Sequence, residues 1–146
     1  MLRHLAFSLF LLVLLPLGAA HAEGAHHKLA LHVNESDPTV MNMALSNAEN
    51  VQKYFASKGD TVEIEIVAYG PGLIMLRDDK SPVRHRISAM SLEIPSITFS
   101  ACGNTYESMS KAEGHDVPLM SEAQIVPSGV ARLMELQEQG FSYVRP

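Results

Sequence analysis

Five short apolar runs alternate with segments of helical periodicity along this chain, and that alternation limits the folds open to it. The runs are 28–33 (KLALHV), 61–69 (TVEIEIVAY), 96–101 (SITFSA), 124–126 (QIV) and 141–144 (FSYV). Runs of this length flanked by turn residues read as strands. Asn34-Glu35-Ser36-Asp37 follows the first, Gly70-Pro71-Gly72 the second, and Pro127 the fourth. The second run alternates, with Val62, Ile64 and Ile66 on one face and Glu63 and Glu65 on the other, the pattern of a half-exposed strand near a sheet edge.

Helical segments fill the gaps. Asp37-Pro38 is a helix start, because Asp accepts from free N–H groups and Pro is preorganised for the first turn. Val40, Met43, Ala44, Val51 and Phe55 then share one face, with Asn47 as a polar intruder, and Gly59 supplies the stop. Residues 73–77 allow a turn or two of helix, 83–92 a modest helix, and 105–112 a helix ending near Gly114. The last helix carries Val130, Leu133, Met134 and Leu136 and stops at Gly140. Met43 and Met134 read here as core fillers rather than soft metal ligands.

Strands separated by helices in regular order predict parallel pairing through right-handed crossovers. The expectation is an α/β domain with flavodoxin-like three-layer architecture: a five-stranded, mainly parallel sheet with helices on both faces. Ligands of such sheets gather at the carboxyl ends of the strands. The loops 34–39, 70–72 and 102–104 and the start of the last helix should share that edge. Asn34, Gly70, Gly72, Gly103, Asn104 and Ser128 are therefore the candidate ligand-binding residues.

The amino terminus reads differently from the rest. Arg3 and His4 precede an apolar stretch, 5–17 (LAFSLFLLVLLPL), followed by Ala20-His21-Ala22. Basic start, apolar stretch and A-x-A site in that order predict a secretory signal peptide over 1–22, with cleavage after Ala22. The stretch falls short of the roughly 20 apolar residues a membrane span requires. Residues 23–146 then form one domain, expected in the periplasm or secreted. No later apolar segment is long enough to span a bilayer, so no membrane association is expected after cleavage. Lys and Arg total 11 against 16 Asp and Glu, and the only such residue within 1–22 is Arg3. An acidic chain without a basic stripe argues against nucleic acid as a partner.

One cysteine is present. Cys102 cannot form an internal disulfide, so the core must hold the fold, and the residue is inert, paired with another chain, or chemically used. It lies between a predicted strand and a predicted helix. Helix N-termini favour the thiolate, the reactive form of cysteine. Gly103 permits close backbone approach, and Asn104 or Thr105 can bond locally. Against this, cysteine is among the most buried residue types.

The segment Ser100-Ala101-Cys102-Gly103-Asn104, with 125–130 (IVPSGV) and the terminal Leu133, Leu136 and 137–141 (QEQGF), resembles the DsrE/DsrF-like family. The resemblance extends over 28–146. It implies a flavodoxin-like fold, assembly as trimers or hexamers, and a cysteine that carries sulfur as a persulfide. Cys102 matches the family's cysteine segment, so the role would fall to that residue, with a donor or acceptor protein as partner. The well-known sulfur relays of that family are cytoplasmic, whereas this chain reads as exported.

Other signals are weaker. His26, His27, His32, His85 and His115 lack the spacing of a built metal site, and no metal or cofactor is expected. A copper-binding accessory role using His26 and His27 is one alternative. A non-catalytic small-ligand module with a structural cysteine is another. No C-x-x-C pair supports thioredoxin-like cycling, and Pro127-Ser128-Gly129 is not a G-x-S-x-G elbow.

Overall fold

The structure, a computed structural model, describes residues 24–146; the signal-peptide reading of 1–22 lies outside the described residues. The chain runs β1 (His26–Val33), α1 (Pro38–Ala56), β2 (Thr61–Ala68), a 3-10 helix (Gly70–Leu76), α2 (Arg84–Glu93), β3 (Ile97–Cys102), α3 (Gly103–Glu113), β4 (Ala123–Val126), α4 (Gly129–Glu138) and β5 (Ser142–Val144). The five strands form one sheet in the order β4-β3-β2-β1-β5, and every pairing is parallel. The expected flavodoxin-like layering is therefore present.

The connections explain the layers. From β1 to β4 the chain steps across the sheet in one direction, and from β4 it returns past β1 to add β5. A right-handed crossover puts its helix on one face when the chain advances and on the other when it returns. Accordingly Met41, Ala44 and Leu45 of α1, Leu73 and Leu76 of the 3-10 helix, and Ile87 and Met90 of α2 pack with Leu31, Ile64, Ile66 and Phe99 in the main core. Tyr106 and Met109 of α3 pack at its margin. On the opposite face Leu133 and Leu136 of α4 join Ala30, Val67 and Phe141 in a smaller cluster.

Local signals act as expected at α1. The Asp37 carboxylate accepts from the Thr39 N–H at 2.7 Å, and Pro38 opens the helix. Its buried stripe is Met41, Ala44, Leu45 and Ala48, at i, i+3, i+4 and i+7. That stripe is rotated from the expected one: Met43 is exposed, and Val51 and Phe55 are only partly buried. In α4, Val130 and Met134 likewise face outward. Neither Met43 nor Met134 fills the core.

β2 is not near an edge. It pairs with β1 on one side and β3 on the other. Glu63 is exposed as expected, but Glu65 is 4% exposed. The alternation of β2 records two unlike faces, and the second becomes buried where α4 crosses it. Among the described residues no helix is long and apolar enough to cross a membrane.

Candidate functional site

Reversal of chain direction makes a crevice at one place. β3 sends its outgoing helix to one face and its neighbour β4 sends its helix to the other. The gap outside their carboxyl ends is the topological switch point, where ligands of open α/β sheets bind. Cys102 is the last residue of β3 and the N-cap of α3. Its register partner is Val126, the last residue of β4. The cysteine therefore occupies the switch point.

Two glycines let the backbone close around it. A Cβ on Gly103 would fall 3.0 Å from the Val126 carbonyl oxygen and 3.3 Å from that of Pro127, so glycine lets the turn after β4 lie against α3. A Cβ on Gly129 would fall 3.0 Å from the Tyr69 Cβ and 3.2 Å from the Cys102 Cβ. The first turn of α4 thus rests on the cysteine itself, and two helix N-termini converge on one sulfur.

That convergence sets the electrostatics. Burial pushes the thiol up, since Cys102 is only 5% exposed. The Thr105 hydroxyl and the N–H groups of Gly129, Thr105 and Asn104 oppose it and together bring the thiol below its ordinary value of 9.0. The sulfur makes no capping hydrogen bond in the structure; these donors form a collar of positive potential that a thiolate would draw in. Thr105 is oriented for the task. Its Oγ1 accepts from the Gly70 N–H at 2.9 Å, which leaves the hydroxyl proton for the sulfur.

An open cleft of about 550 Å³ adjoins this collar, lined by Gly70, Pro71, Asn104, Thr105, Ser108 and Met109. Among the described residues no charged side chain lines it. A more enclosed hollow of about 200 Å³ lies on the far side of the turn after β4, bounded by Ser128, Arg132 and Glu135 among others.

The structure brings several expected residues together. Cys102 and Gly103 meet at the switch point, while Gly70 and Asn104 line the cleft. Gly70 has φ +53°, a conformation that favours glycine, and 70–72 opens the 3-10 helix rather than ending in a free turn. The Asn34 carbonyl oxygen lies 4.0 Å from where a Gly70 Cβ would be, so Asn34 borders that loop without lining the cleft. Gly72 is buried, and a Cβ there would collide with the Val33 carbonyl, which makes it a packing glycine. Ser128 caps α4, accepting from the Ala131 N–H at 3.4 Å, and faces the enclosed hollow.

Gly129, at the helix start expected to share this edge, contacts Cys102, and Tyr69 joins the site without any sequence feature that marked it. Thr105, three residues past Cys102, is marked in the sequence only by its closeness to the cysteine and by a hydroxyl able to bond locally. No local signal marks Tyr69, which meets Gly129, 60 residues along the chain, only through the fold.

None of the described histidines lines the cleft. His27 stacks on Phe55 with centroids 3.6 Å apart and bonds Asp60 at 3.2 Å. His26 bonds Thr61. Among the described residues no three His, Cys, Asp or Glu side chains are grouped to hold a metal ion. His32 is buried, with Nδ1 2.7 Å from the Tyr143 hydroxyl and its ring stacked on Tyr69 at 4.7 Å. Its Nε2 has no hydrogen-bond partner among the described residues. Burial, and then the charge of Arg145, hold His32 below its ordinary 6.5.

No protein-family model matches the chain, and no curated protein matches it. Among solved structures it is similar to a protein of unknown function, MTH1491 from Methanobacterium thermoautotrophicum. Identity is 30%, the match covers 82% of this chain and 99% of that one, and the TM-score is 0.69. The chain belongs to the same family as that protein. The match takes in nearly all of that chain, so the two share the whole α/β domain rather than a fragment of it.

Proposed function

We propose that the protein carries sulfur as a persulfide on Cys102. The observation that carries this reading is one thiol at the switch point, faced by N–H groups from two helix N-termini and by the Thr105 hydroxyl. A carrier needs an acidified thiol with donors beside it and no second cysteine. The thiolate attacks the outer sulfur of a donor persulfide, R–S–SH. A bond forms from Cys102 Sγ to that sulfur, the donor S–S bond breaks, and R–S⁻ departs with the electron pair. The product, Cys102–S–SH, passes its outer sulfur to an acceptor thiolate by the same displacement, with no net oxidation. The likeness of 100–104 to the DsrE/DsrF cysteine segment supports the assignment, and the same reading makes the protein an exported homo-oligomer with donor and acceptor proteins as partners.

A second reading is favoured by the 5% exposure of Cys102: a small-ligand module in which the cysteine is a wall of the cleft. Intact-mass spectrometry after incubation with inorganic polysulfide separates the two. The carrier gains one sulfur atom, loses it to reductant, and gains none as Cys102→Ser. An unmodified mass, with Cys102 resistant to alkylation until denatured, would overturn the carrier and leave the module.

A further inference from the structure

Gly129 faces Cys102 only if the first turn of α4 is held in place. The apolar contacts of this helix, through Leu133 and Leu136, lie further along it. The first turn is gripped by Arg132, three residues past Gly129 and so on the same side of the helix. Arg132 Nε donates to Glu65 Oε1 and Nη2 to Oε2, both at 2.7 Å. The Ser100 hydroxyl donates to the same Oε1 at 2.6 Å. Glu65 and Ser100 are buried, and Ser100 lies two residues before Cys102 on the same face of β3. The network therefore ties α4 to the central strand and to the strand that bears the cysteine.

An ion pair with its carboxylate buried and its guanidinium half-buried is a poor way to gain stability, because apolar residues of similar volume usually serve as well. Its distinctive property is direction: the two-pronged guanidinium–carboxylate contact fixes orientation as well as distance. We propose that Arg132 and Glu65 are positioning residues for Cys102, holding the start of α4 so that the Gly129 N–H faces the sulfur. This rests on the reading of Cys102 as a reactive thiol. Among the described residues the ionisable groups on this side include Tyr69 against Gly129, His32 behind Tyr69 with Tyr143 and Arg145 beside it, Glu65, Arg132 and, beyond it, Glu135.

The test is the pH dependence of iodoacetamide alkylation of the purified protein, read by mass. Arg132→Lys keeps the charge and loses the fork. Its alkylation midpoint is expected to move up by about half a unit, a roughly threefold lower rate near neutral pH. The Glu65→Gln/Arg132→Met double variant removes both charges and is expected to shift further in the same direction. Arg86→Lys is the control, since Arg86 grips Asn42, Ser46 and Glu49 from α2 on the main-core face. It should leave the midpoint unchanged. Greater access alone would raise the plateau rate without moving the midpoint. If Arg132→Lys matches the parent midpoint, or Arg86→Lys moves it equally, the positioning role is overturned. Sulfur loading of the parent is scored separately, so a parent that takes no sulfur while Arg132→Lys still shifts the midpoint sinks the carrier reading and leaves the positioning intact.

Discussion

Thr105→Val replaces a hydroxyl with a methyl of nearly the same shape, so its effects isolate one hydrogen-bonding group. In the parent, Thr105 Oγ1 accepts from Gly70 at 2.9 Å and offers its proton toward Cys102. Hydrogen bonds to a charged group contribute about 1.5–3 kcal/mol. Thr105 is half-buried and its contact with sulfur is loose, which favours the lower end. At about 1.36 kcal/mol per unit, the thiol should rise by about one unit. Alkylation near neutral pH should then slow about tenfold, with the whole rate profile displaced rather than its plateau lowered. The part-buried Gly70 N–H loses its acceptor at the same time, which should cost about 0.5–1.5 kcal/mol in urea unfolding, since water in the open cleft can take the place of the hydroxyl. Thr105→Ser keeps the hydroxyl and should restore both. A Thr105→Val protein destabilised by that amount, yet with the parent alkylation midpoint, would refute the hydroxyl's role at the sulfur and reduce Thr105 to a tether for the Gly70 loop.

Two further predictions follow from the same geometry. Gly129→Ala puts a Cβ 3.0 Å from Tyr69 and 3.2 Å from Cys102, so α4 must shift outward; a stability loss of about 1–3 kcal/mol and a thiol midpoint displaced upward are expected, and unchanged values in both would contradict the close seat. His32 is held below 6.5, so the unfolded chain takes up its proton first as pH falls. Stability from this group is present above 6.5 and is lost as pH drops from there through the lower folded value. Urea midpoints at successive pH values should show this decline, and His32→Phe should flatten it. A slope unaltered in His32→Phe would place the proton uptake elsewhere.

Much of the architecture is local and so was legible in the chain. Strand positions, the Asp37-Pro38 start and the left-handed Gly59 and Gly114 stops follow from backbone preferences of neighbouring residues, although β1 begins at His26, two residues before the expected Lys28. Alternation of strands with helices was enough to require a parallel layered sheet and to put Cys102 at its carboxyl edge. The same information was silent on strand order, and the misreadings trace to that silence. Glu65 and Glu63 are equivalent in an alternating run; only the return of α4 across β2 buries one and supplies Arg132 to neutralise it. Met43 and Met134 fit helical stripes, but which stripe meets the sheet depends on how each helix docks. Gly72 resembled a cleft residue in sequence and is a packing glycine because the end of β1 presses on it. The site divides along the same line. Cys102, Gly103 and Asn104 are consecutive and were readable together, whereas the turn of chain direction between β3 and β4 brought Gly129, Tyr69 and the Glu65–Arg132 pair to them. Short-range preferences belong to the sequence; meetings between distant segments are decided by the order in which strands are laid side by side.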